Sequence, residues 1–181
     1  KNPAFWREYL GHYPFRWHEF HDSRRNRHEN LPREQLAHWA RYAARYKAAS
    51  SYRGIRFCGM NEDTGRGYSA ALGVFLAYTA LEAYWTASGE EPSKGFIDPQ
   101  LADLIRAALK SSADLADGLT NQGLKKRVVS FMNGDVDDVF VIARALRHLF
   151  AHGIFTPWGA HSVSLKATMA FDDLAQCLLR H

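Results

Sequence analysis

From Arg66 to Thr86 the chain is apolar almost all round, and Glu82 is its only charge between Arg66 and Glu90. A helix without a polar face is one buried on every side, so this stretch predicts the central helix of a bundle. The segments around it are one-sided. Pro32 at a first-turn position opens a stretch to about Ala49, with Leu36, Trp39, Ala43 and Tyr46 on one face. Asp98-Pro99 begins a third helix, with Leu101, Leu104, Ile105, Ala108, Leu109 and Leu115 at three-four spacing and Gly118 near its end. A short helix is expected around Leu124 to Met132, and Leu165 to Leu179 closes the chain as another amphipathic one.

"NGDVDD" is a sharper start signal. Asn133-Gly134 predicts a turn, Asp135 an N-cap, and Asp137 and Asp138 acids beside the positive end of the helix dipole. That helix is expected to run to His152, with Gly153 as its C-cap and "IFTPWGAHS" as a loop. Residues 1–30, with Phe5, Trp6, Tyr9, Tyr13, Phe15, Trp17 and Phe20 broken by Pro14, read as an aromatic-rich helical extension packed across the bundle. Tyr52 to Thr64 fits helix, loop or short strand. No repeat of 20–50 residues is present. The expectation is one all-α domain over residues 1–181, a bundle of five to seven helices.

On a wheel of 100° per residue, the helix from Asp135 to His152 gathers Val139, Ile142, Ala143, Leu146, Leu149 and Phe150 into one arc. Asp137, Arg144, Arg147, His148 and His152 occupy the opposite arc. Arg147 and His152 sit at its edges, about 140° apart and about 7.5 Å along the axis, so they need not touch. Phe140, Val141 and Ala151 lie among those polar residues, which predicts a covered face, for instance by a second copy of the chain. The plain alternative is an amphipathic helix with Arg and His in solvent.

Composition narrows the field only modestly. The chain has 181 residues, 46% hydrophobic and 23% charged, with a formal charge of +4. A pI near 9.1 permits a polyanionic partner without demanding one. The longest apolar stretch, Ser69 to Leu81, is shorter than the roughly 20 residues that cross a bilayer. Cys58 and Cys177 have no CxxC partner and are expected to be free thiols in the cytoplasm. Two basic clusters, "RRNRHEN" with Arg24, Arg25 and Arg27, and Lys125-Lys126-Arg127, could each track an RNA backbone or simply be solvated. His148 and His152 resemble a metal pair at i and i+4, but no HExxH or nearby carboxylate completes it, and His18, His21 and His28 match no metal-site spacing. "TGRG" at 64–67 reads as a turn. No metal or cofactor is expected.

"RHLFAHG", residues Arg147 to Gly153, is one of four Arg-x4-His spacings; the others are Arg7 with His12, Arg16 with His21, and Arg33 with His38. Only the first has a polar residue after the arginine, a helix ending at the histidine, and a following glycine. The setting "ALRHLFAHGIFTP" resembles the Arg-polar-x3-His signature of the HEPN superfamily (higher eukaryotes and prokaryotes nucleotide-binding), whose motif ends a late helix of an all-α bundle. Here that is the penultimate long helix. Arg147 takes the arginine position, His148 the polar position and His152 the histidine position. A subgroup carrying a tyrosine two places after the histidine does not match, because Ile154 stands there.

The resemblance implies a homodimer whose motif helices face each other across a cleft, and metal-independent RNA cleavage to a 2′,3′-cyclic phosphate. It implies a toxin or a defence effector, and an antitoxin among the partners such a role admits. Some family members bind RNA or nucleotide without cleaving it, and a helical scaffold carrying the motif by chance is the third alternative. Glu82, alone on its apolar helix, either faces solvent or partners Arg144 or Arg147 and fixes the guanidinium.

Overall fold

The computed structural model describes residues 33–56, 58–59, 61–89, 97–109, 114–152 and 165–180. The N-terminal extension, including Arg24, Arg25 and Arg27, and the loop from Gly153 through Ile154 to residue 164 lie outside them. Among the described residues seven helices follow one another: α1 (Arg33–Ser51), α2 (Glu62–Ser88), α3 (Pro99–Leu109), the single-turn α4 (Asp114–Asp117), α5 (Gln122–Asn133), α6 (Phe140–Ala151) and α7 (Leu165–Arg180). Among the described residues the only β pairing is an isolated antiparallel bridge between Ile97 and Asp138. The described residues are all-α, and their helices number within the expected five to seven.

Helix α2 is central, as its all-round apolarity predicts. It packs against α1, α6 and α7. Its buried positions are mostly small: Ala70, Ala71, Ala77, Ala80, Ala83 and Ala87, with Val74, Tyr78 and Leu81 between them. Alanine lets neighbouring backbones approach from several sides while keeping high helix propensity. Asn61 starts the helix, its side chain accepting the Thr64 N–H at 2.8 Å. Two ring pairs align α6 on α2: Trp85 with Phe140 and Phe75 with Phe150, both at 5.8 Å between centroids. The two helices therefore run antiparallel.

One expectation is corrected along α3. Of the helix expected from Pro99 to Gly118, α3 (Pro99–Leu109) and α4 (Asp114–Asp117) are described, and residues 110–113 between them lie outside the described residues. Leu104, placed in the core by its spacing, is 55% exposed, because α3 turns only Leu101, Ala102, Ile105, Ala108 and Leu109 inward. The segment Tyr52 to Thr64, which the sequence left open, is largely non-helical until Asn61.

The start of α6 also differs from expectation. The helix begins at Phe140, not Asp135, and the reason is that the local donors and acceptors are already committed. Gly134 adopts a left-handed φ of 85°, and the Asp135 N–H donates to the Ser130 carbonyl at 3.0 Å, closing α5. Asp138, not Asp135, accepts the Phe140 N–H, at 3.1 Å.

Arg106 of α3 holds the connection between α5 and α6. Its guanidinium donates to the Phe131 carbonyl at 2.7 Å and the Val136 carbonyl at 2.6 Å. It also pairs with Asp137 at 2.5 Å and Asp103 at 2.9 Å, and lies 4.7 Å over the Phe131 ring. Its side chain is only 13% exposed. Losing one partner from such a part-buried network leaves the rest unsatisfied. Arg106→Ala is therefore expected to cost about 2–4 kcal/mol in urea denaturation, with Arg106→Lys restoring less than half because an ammonium lacks the fork. A cost for Arg106→Ala below about 0.5 kcal/mol would show that the turn holds itself.

Candidate functional site

The candidate site is the last turn of α6, and the buried side of that helix fixes its orientation. Val139, Ile142, Ala143, Leu146 and Leu149 are buried as expected, and Phe150 is half-buried against Phe75. Phe140 and Val141 are covered, as their place on a charged face predicts, but the cover comes from within the chain. Both are buried inside their own chain, Phe140 against Trp85, so neither calls for a second copy. The wheel assumed one neighbour, whereas α6 packs against both α2 and α5, which widens its buried arc. Ala151 is exposed.

Arg147 emerges at the edge of that arc and meets Glu82. Its Nε lies 3.2 Å from Glu82 Oε2, with the two side chains 41% and 31% exposed. Of the two cations offered for Glu82, the geometry selects Arg147. Among the described residues Nε makes the ion pair, which leaves the outer guanidinium nitrogens to face a ligand. Arg144, one turn earlier, is exposed and has no ion pair among the described residues. Tyr78, one turn before Glu82 on α2, is a neighbour the sequence reading missed. Its phenol is pushed up to about 12, chiefly by burial and then by Glu82, while Arg144, Arg147 and Arg127 pull the other way. Its spacing of four from Glu82 on an amphipathic helix would have marked it; on a helix apolar all round it did not stand out.

His148 and His152 stack one helical turn apart, their ring centroids 4.4 Å from each other and tilted by 58°. Thr120, from the connection between α4 and α5, places its Oγ1 3.2 Å from His148 Nε2. Nothing in the sequence pointed to Thr120, which is 28 positions away. The His148 imidazole is held below the usual histidine range by burial first, then by His152 and Arg147. One side of α6 thus gathers an arginine tethered to Glu82, the exposed Arg144 and two imidazoles at the protein surface.

The other candidates gather less. Lys125 pairs with Asp117 at 2.9 Å and Arg127 with Asp138 at 2.8 Å, so two of the three cations in that cluster are matched within the chain; Lys126 is exposed. Among the described residues no three His, Cys, Asp or Glu side chains come together as a metal site. None of the described helices is long and apolar enough to cross a membrane. A groove of about 430 Å³ runs between α3 and α7, lined among others by Asp98, Leu101, Leu104, Asp173, Cys177 and Arg180. It contains no motif residue. Burial, and then Asp98, push the Cys177 thiol up to about 11 against the pull of Arg180, so it is no thiolate nucleophile at neutral pH. No protein-family model, curated protein or solved structure matches the chain.

Two outcomes follow. Because the Glu82–Arg147 pair is partly open to water, Glu82→Gln is expected to cost no more than about 1 kcal/mol in urea denaturation. A larger loss would mean that the carboxylate serves the core. His148, depressed in the folded chain, binds fewer protons folded than unfolded. Its contribution to stability is therefore present above an unfolded value of about 6.5 and is lost as pH falls from there through the lower folded value. His148→Asn should flatten that limb of the Tm-against-pH curve, and an unchanged limb would assign it to another group.

Proposed function

We propose that the chain is a metal-independent endoribonuclease of the HEPN type, acting at the end of α6. The observation that carries this reading is the grip of Glu82 on Arg147, which sets a guanidinium beside the His148–His152 pair. The residue types match the reaction. A neutral His152 takes the proton from a ribose 2′-hydroxyl, the 2′-oxygen attacks phosphorus, and the bond from phosphorus to the 5′-oxygen breaks. The same proton goes to the departing 5′-oxygen, leaving a 2′,3′-cyclic phosphate and a 5′-hydroxyl. Arg147 donates to the phosphate oxygens as charge builds on them, with its Nε end anchored by Glu82. Arg144 lies one turn away to hold a neighbouring phosphate.

The same reading takes the active form to be a homodimer in which two motif helices share a cleft, working in the cytoplasm as a toxin or defence effector, with an antitoxin as the natural restraint on a toxin. One observation favours a second reading. Since Phe140 and Val141 are covered within the chain, a monomer that binds RNA or nucleotide without cutting it satisfies the same surface.

Cleavage of single-stranded RNA in the presence of EDTA is the expected result, with cyclic phosphate ends on the products. Arg147→Ala and His152→Ala should each lower the rate by at least about 10²-fold while the fold is kept. Binding without product in the parent chain would select the second reading, and full activity in either variant would overturn the first.

A further inference from the structure

The His148–His152 contact carries a consequence for how an anion docks. Two imidazoles with centroids 4.4 Å apart repel each other when both are charged. Arg147 directly precedes His148 on the same helix and Arg144 lies a turn before that, so the site already holds two fixed positive charges. Glu82 reaches this group from α2 through Arg147 and offsets part of that charge. Among the described residues, the connection before α5 brings the neutral hydroxyl of Thr120 to His148 Nε2. The charges behind it are closed on themselves, as Lys125 with Asp117 and Arg127 with Asp138. The depressed proton affinity of His148 agrees with this arrangement.

We propose that a phosphodiester seated against Arg144, Arg147 and the imidazole pair draws an additional proton onto that pair, so that the site grips polyanions more tightly as pH falls. The inference rests on the reading that the end of α6 receives phosphates, and adds a proton to what is bound. A negative oxygen between two imidazoles turns the cost of charging both into a gain, since each charged ring donates to it. The bound state then takes up a proton that the free state rejects, and linkage makes affinity depend on pH. The phosphodiester itself keeps one charge throughout, so the dependence belongs to the protein.

The test uses the full chain and a short oligodeoxythymidylate, which has no 2′-hydroxyl to attack with and does not ionise across the range used. At fixed ionic strength, binding should be on the order of tenfold tighter at pH 5.5 than at pH 7.5. In the double variant His148→Asn, His152→Asn that ratio should fall below about twofold. The ring-proton titration of His148 in the parent chain, followed by NMR, should move upward when the oligonucleotide saturates it. Equal affinity at both pH values, a ratio kept by the double variant, no binding at either pH, or an unmoved His148 titration would each overturn the proposal. A matching oligoribonucleotide separates it from the nuclease reading. If the RNA stays intact while the proton linkage is present, nuclease activity alone is lost. If the RNA is cut without the linkage, this inference alone is lost.

Discussion

A helix packed by three neighbours can carry a carboxylate only where water or a cation reaches it, and that constraint organises this molecule. Helix α2 meets α1, α6 and α7, and most of its inward positions are alanine. Glu82 is placed on the side toward α6, where Arg147 meets it. The ring pairs Trp85–Phe140 and Phe75–Phe150 fix α6 antiparallel to α2 on either side of this ion pair. Core packing thus sets the register of α6, and the register sets which cation Glu82 receives. An arginine suits the role better than a lysine, because one nitrogen can be tied while the others remain available.

The far end of α6 depends on where the helix begins. Arg106 gathers the Phe131 and Val136 carbonyls and the Asp137 carboxylate, which pins the connection leaving α5. Asp138 then pairs with Arg127, accepts the Phe140 N–H and bridges to Ile97, so three segments converge on the first turn of α6. A stiff first turn and a buried middle leave the last turn to present its side chains outward. His148, its proton affinity lowered by burial and its neighbours, stands there against His152.

Much of this was legible in the residues. The all-round apolarity of Arg66 to Thr86 gave the central helix, and its lone glutamate left two choices, solvent or a cation from α6, of which the fold takes the second. The three-four spacing of Ile142, Leu146 and Leu149 gave the buried face of α6. Where the pattern misled, tertiary neighbours were the cause. Phe140 and Val141 looked like outliers on a charged face because a wheel shows one helix and cannot show α5 beside it. Asp135 looked like an N-cap because its type and place were right, but its backbone N–H closes the preceding helix. Leu104 fitted a stripe wider than the one α3 buries. Thr120 and Tyr78 carry no local signal for their part in the site. Thr120 meets His148, and Tyr78 meets the arginines of α6, only once the helices have packed.

The proposed function places nucleic acid at the end of α6 and not in the groove between α3 and α7. The most direct measurement is a map of backbone and side-chain NMR shifts on adding an uncleavable 2′-deoxy-substituted single strand. The account predicts that the largest changes fall on Arg144, Arg147, His148 and His152, extending to Thr120 and Glu82. Changes centred on Asp98, Cys177 and Arg180, or none at all, would contradict it.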